Sequence, residues 1–124
     1  MLKRILILIE DLKVVNPLFG SLSTEFEVVF SSGNKNIFVV LDKFRPNAVI
    51  IAFSDFQLAF DCCSALRLNP HTTNVPTIIV SATTMSDEQI KRSYCNYFFL
   101  IPLDFLKFKE MLYHVCADDP YYDC

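Results

Sequence analysis

Five short apolar runs, each followed by a stretch long enough for a helix, constrain this chain more than any other feature. They are Arg4–Ile9 (RILILI), Phe26–Phe30 (FEVVF), Ala48–Phe53 (AVIIAF), Val75–Val80 (VPTIIV) and Tyr97–Ile101 (YFFLI). Four of them are continuous rather than alternating, as in strands buried on both faces of a parallel sheet. The second is interrupted by Glu27 and suits a sheet edge.

The intervening segments carry helix starts. Asn16-Pro17 offers an N-cap with proline at the first helical position, for a short helix to about Ser23. Asn34 precedes Ile37, Val40, Leu41 and Phe44, an i, i+3, i+4, i+7 stripe. Asp55 or Gln57 opens a third helix through Phe60, Cys63 and Leu66, which must end before Pro70. Ser86-Asp87-Glu88-Gln89 is a capping box for a fourth, expected to run through Ile90 and Tyr94. Asp104 caps a fifth, to about Val115. This order predicts one α/β domain, a (βα)5 doubly wound fold with helices on both faces of a five-stranded parallel sheet. The domain is expected over residues 1–116, with 117–124 a frayed end or the start of a linker.

Composition narrows the function. Of 124 residues, 52% are apolar, with 12 Phe and 5 Tyr, enough for a core and too many for intrinsic disorder. Eleven basic against 14 acidic residues, with no basic cluster, argue against direct nucleic-acid binding. Even the longest apolar run, Ala48–Phe53, is far too short to span a bilayer, and so is the first, Ile5–Ile9. The first leads straight into Glu10-Asp11, unlike a secretory signal, so no membrane partner and a cytoplasmic location are expected. Five cysteines (62, 63, 95, 116 and 124) form no C-x-x-C, and His71 and His114 have no ligand spacing, so these thiols read as small buried hydrophobes rather than zinc ligands. Two separated glycines, Gly20 and Gly33, cannot build a phosphate-cradling loop.

In open parallel sheets, ligands gather beyond the carboxyl ends of the strands. Those ends read Glu10-Asp11 after strand 1, Ala52-Phe53-Ser54-Asp55 after strand 3, Ser81-Ala82 after strand 4 and Ile101-Pro102 after strand 5. Together with Arg45-Pro46-Asn47 before strand 3, Leu66–Pro70 after helix 3 and the VPTIIVSA run of strand 4, these motifs resemble the receiver domain of bacterial response regulators, the CheY-like family, over nearly the whole chain. The resemblance implies strand order 2-1-3-4-5. It also implies a site in which a partner histidine kinase phosphorylates an aspartate at the end of strand 3. An acidic pair holds Mg2+ there, and a hydroxyl on strand 4 and a lysine on strand 5 grip the phosphoryl group.

Residue by residue, Glu10 and Asp11 match the acidic pair, Ser81 the hydroxyl, and Phe98 the aromatic whose rotation accompanies activation in the family. Two positions depart. The phosphoacceptor position falls on Ala52, and the lysine position is Ile101. A metal–phosphoryl site needs converging oxygens and a compensating cation, so the pair of losses points away from phosphoryl chemistry. No cofactor is then required, although Glu10 and Asp11 could still bind Mg2+ weakly.

Three functions follow. The first is a degenerate receiver, not an enzyme, that signals by protein contact without phosphorylation. The second is a phosphorylatable receiver using Asp55 in a two-component phosphorelay. Its difficulty is spacing: Leu66 lies 14 residues beyond Ala52, near the family's interval, but only 11 beyond Asp55. The third is a flavodoxin-like small-molecule binder, for which Leu12–Val15 supplies no suitable loop. For the first, a protein partner, another copy or an output domain is expected on the face formed by helix 4, strand 5 and helix 5. Leu103, Phe105, Leu106 and Phe108 cannot all turn inward there, because they span more than one helical stripe.

Overall fold

The computed structural model describes residues 2–9, 21–31, 37–53, 56–70, 72–81, 84–93, 95–100 and 104–117. Strands β1 (Arg4–Ile9), β2 (Glu27–Ser31), β3 (Ala48–Ala52), β4 (Thr77–Ser81) and β5 (Tyr97–Leu100) form an all-parallel sheet in the order β2-β1-β3-β4-β5. Four helices follow their strands as the apolar pattern predicts: α1 (Ile37–Phe44), α2 (Phe56–Leu68), α3 (Asp87–Arg92) and α4 (Phe105–Val115). The short first helix overlaps a 3-10 turn at Ser21–Thr24, and its expected start at Asn16-Pro17 lies outside the described residues.

Alternation along the strands divides the apolar side chains between two cores. Ile5 and Ile7, Ala48 and Ile50, and Ile78 and Val80 face Phe108, Leu112 and Cys116 at α4. Leu6 and Leu8, Val49 and Ile51, and Ile79 face Leu41 of α1 and Ala59, Cys63 and Leu66 of α2. The three inner strands are therefore covered on both sides, which their unbroken apolar sequences require. The 3-10 turn docks on α4 through a Glu25–Lys109 ion pair of 2.7 Å and a Phe26–Tyr113 ring contact of 5.0 Å. The hydrogen bond from the Lys109 ammonium holds the Glu25 carboxyl below its ordinary value.

Two expectations are corrected. Tyr97–Ile101 reads as a strand buried on both faces, yet Tyr97 and Leu100 are exposed and Phe98 and Phe99 only half-buried. The strand order is the cause, because β5 has a neighbour on one side only. The fourth helix does not continue to Tyr94. It ends at Arg92, where Ser93 caps it, and Tyr94 lies outside the described residues. Its start is as expected: Ser86 and Gln89 close a reciprocal capping box, with bonds of 3.2 and 2.9 Å. Asp104 likewise caps α4 through the Lys107 amide at 3.3 Å.

Candidate functional site

Strand register decides which side chains share the carboxyl edge of the sheet. Ile9, the last residue of β1, is level with Ala52, the last residue of β3. Ile51 is level with Ile79, which places Ser81, two residues further along β4, beside the end of β3. Ser81 in turn is level with Leu100 at the end of β5. Of the four residues that end β1, β3, β4 and β5, Ser81 alone has a side-chain oxygen, and it is buried.

Ala52 is half-buried and packs on the core beneath α4, while Phe53 turns to the opposite core and is almost fully buried. The chain passing the centre of this edge thus has apolar side chains on both sides of the sheet. Glu10, Asp11, Asp55 and Ile101 lie outside the described residues. Strand β3 ends three residues before Asp55, and α2 begins directly after it. Among the described residues, no group of three or more His, Cys, Asp or Glu could hold a metal ion. Nor is any described helix long and apolar enough to cross a membrane.

The four cysteines in described segments are free. Burial pushes the Cys63 thiol up to about 12 and the Cys116 thiol up to about 11. Both are inert at neutral pH, because the thiolate is the reactive form.

The second candidate region is the outer face of α3, β5 and α4, the elements expected as helix 4, strand 5 and helix 5. Its aromatic residues separate by function of position. Phe98 and Phe99 point to opposite sides of the sheet, Phe98 to the core under α2 and Phe99 to the core under α4. Phe99 meets Phe108 edge to face, with ring centroids 5.1 Å apart. Phe108, expected on the interaction face, is completely buried, because its place on α4 faces the sheet with Leu112 one turn on. Phe105 is half-buried, its ring 5.3 Å from the Lys109 ammonium. The described large apolar residues exposed on these elements are Tyr97 and Leu100 on β5 and Leu106 and Tyr113 on α4, Leu106 being 69% exposed. The apolar run alone does not mark Tyr97 and Leu100 as surface; the strand order does, since it makes β5 an edge.

No family model matches the sequence, and no curated protein matches it. Solved structures do match in fold. The N-terminal domain of a response regulator receiver protein from Methanoculleus marisnigri is similar with a TM-score of 0.68 at 19% identity, covering 95% of this chain and 99% of that one. A chemotaxis response regulator of Vibrio cholerae gives 0.70 at 13% identity, covering 93% and 99%. The receiver domain of a sensor histidine kinase from Pseudomonas aeruginosa, solved with magnesium coordinated in its active-site cleft, gives 0.68 at 15% identity, covering 95% and 100%. At these identities the likeness establishes the fold: a five-stranded CheY-like receiver fold with nearly complete coverage on both sides.

Proposed function

We propose that this chain is a signalling module on the receiver fold that works by binding a protein partner and is not switched by phosphorylation. The observation that carries the reading is Ala52. It ends β3 level with the end of β1, where phosphoryl transfer requires a carboxylate, and a methyl group has no oxygen to accept a phosphoryl group. Ile101 supports it from the sequence, since an alkyl side chain cannot compensate the charge on transferring phosphoryl oxygens.

A divalent cation fits this edge poorly. Mg2+ demands a near-octahedral set of oxygens and is held in proteins by one or two carboxylates plus substrate phosphate. Glu10 and Asp11 would supply two carboxylates, but Ala52 supplies neither a third nor a phosphoryl oxygen. Binding at Glu10 and Asp11 would therefore be weak and not needed for the partner contact.

The partner contact belongs on the α3–β5–α4 face. Tyr97 and Leu100 of β5 and Leu106 of α4 are exposed on its elements, and Phe105 is half-buried. The occupant is a protein surface, either a second copy or an output domain.

Incubation with Mg2+ and acetyl phosphate, read by intact mass, tests the first half. So does titration with beryllofluoride, read by two-dimensional amide NMR. The expected results are no phosphoryl adduct and an unchanged spectrum. A phosphoryl adduct that disappears in Asp55→Asn would overturn the reading and make Asp55 the acceptor.

A further inference from the structure

Helix α3 differs from the other helices in how it is held. Each of the others sends side chains into a core: Leu41 from α1, Ala59, Cys63 and Leu66 from α2, Phe108 and Leu112 from α4. None of the six residues Asp87–Arg92 is buried, and only Ile90 is even half-buried. The buried residues of this segment stand outside the helix, Met85 before its cap and Ser93 after its last turn.

What stabilises α3 is local. The Ser86–Gln89 box satisfies its first amides. Asp87 and Glu88 sit in its first turn and Lys91 and Arg92 in its last, the arrangement that complements the helix dipole, and Glu88 pairs with Arg92 one turn on. Isolated helices shorter than about 12 residues are marginal in water even with favourable sequences. A six-residue helix without a buried face is therefore near that margin inside a folded domain.

Its last turn is wired to β5 through one hydroxyl. Ser93 Oγ donates to the Ile90 carbonyl at 2.6 Å, lies 3.0 Å from Cys95 Sγ and accepts from the Cys95 amide at 3.3 Å. Cys95 is half-buried and packs against the core under α2. Loss of the last turn removes the Ile90 carbonyl from this set and loosens the Ser93 contact with the Cys95 thiol.

We propose that α3 is an independently unfolding lid, tethered at Met85, which opens while the sheet and the other helices stay folded and in opening releases the contact of Ser93 with the Cys95 thiol. Closed and open forms present different surfaces beside Tyr97 and Leu100. A partner that prefers one form shifts the equilibrium between them without any covalent signal. The inference concerns the free chain and stands or falls independently of the partner contact proposed above.

Site-resolved amide exchange and N-ethylmaleimide labelling, both read by mass spectrometry across sub-denaturing urea, test it. The expected result is that amides 87–93 and the Cys95 thiol react far faster than the amides of β1, β3 and β4, with a rate almost independent of urea. Ser86→Ala, which deletes one cap interaction on an exposed residue, is expected to raise both rates about fivefold, and Ser86→Asp to restore them. The lid is refuted if amides 87–93 follow the same steep urea dependence as the central strands. It is also refuted if Cys95 labels at a rate that Ser86→Ala leaves unchanged, because that is static exposure rather than opening.

Discussion

Asn47 and Asn96 make the same pair of hydrogen bonds at two places in the sheet. Asn47 stands directly before β3; its amide donates to the Arg4 carbonyl at 2.7 Å and its Oδ1 accepts from the Arg4 amide at 2.8 Å. Asn96 stands directly before β5; its amide donates to the Thr77 carbonyl at 2.8 Å and its Oδ1 accepts from the Thr77 amide at 2.8 Å. The first residues of β1 and β4 thus have both backbone groups satisfied by one asparagine, which extends each ladder by a rung. Asn96 Oδ1 also accepts from the Arg67 guanidinium at 2.7 Å, which ties the end of α2 to the same place.

The group left behind sets the cost in each case. Asn47→Ala leaves the Arg4 amide without a partner beside a buried position, and about 1–3 kcal/mol of stability should be lost. Asn96 is itself exposed, but Asn96→Ala leaves the amide of Thr77, a residue with no exposure, without its acceptor, so the loss should again be about 1–3 kcal/mol. Urea midpoints of the two variants check this, and a negligible loss in Asn96→Ala would show that solvent reaches the Thr77 amide.

Arg45 carries a second test. It follows α1 with φ at +52°, its amide bonded to the Leu41 carbonyl at 2.8 Å. That left-handed closure of a helix is one glycine adopts freely and other residues adopt at a penalty. Its carbonyl also accepts from Arg4 Nε at 3.0 Å, a backbone contact that any side chain preserves. Arg45→Gly should match or exceed the parent by up to about 1 kcal/mol, whereas the β-branched Arg45→Val should lose about 1–2 kcal/mol. Thermal melts of the pair decide it, and Val equal to Gly would contradict the conformational argument.

How much of this was legible follows the range of the interactions. The capping boxes and the start of α4 are local, and Ser86, Gln89 and Asp104 are where their residue types predict. The apolar run AVIIAF places the end of this strand at Phe53, one residue beyond its observed end at Ala52. The exposure of Tyr97 and Leu100 is not legible in the run itself, because an apolar run looks the same at an edge as inside. The strand order 2-1-3-4-5 that the resemblance implies makes β5 an edge and tells them apart. Asn96 reads locally as a turn residue, and nothing near it points to Thr77. For the acidic pair, Asp55 and Ile101, register brings β1, β3 and β5 up to these positions, and the positions themselves lie outside the described residues.

Cys63 makes stability depend on alkaline pH. Desolvation by burial, with the nearby Cys95 second, pushes its thiol up to about 12 in the folded chain, while an unfolded cysteine titrates near 8.5. The unfolded ensemble therefore loses this proton first. The stability tied to the neutral thiol is complete below about pH 8.5 and is lost as pH rises toward 12, by up to about 1.4 kcal/mol per pH unit. Cys63→Ala starts from a lower stability, because it opens a void in the core, but should lose less of it between pH 8.5 and 10. Urea titrations at those two pH values measure the contrast, and parallel declines in both proteins would assign the alkaline loss to other groups.

Leu106 and Phe108 lie two residues apart on α4 and face opposite ways, one 69% exposed and one completely buried. The same chemical change should therefore have separable consequences. Phe108→Ala removes the ring that meets Phe99 and should lose about 3–5 kcal/mol. Leu106→Glu leaves the core intact and should change stability by no more than about 0.5 kcal/mol, because the side chain is exposed and a carboxylate in the first turn of α4 suits the helix dipole. If the α3–β5–α4 face carries the partner contact, Leu106→Glu should still abolish self-association as followed by sedimentation velocity, or output-domain binding as followed by calorimetry. It replaces an exposed apolar side chain of α4 by a charge, whose desolvation in an interface without a partner is unfavourable. A fully stable Leu106→Glu protein that associates like the parent would move the contact off this face, whereas loss of association with stability retained would assign it there.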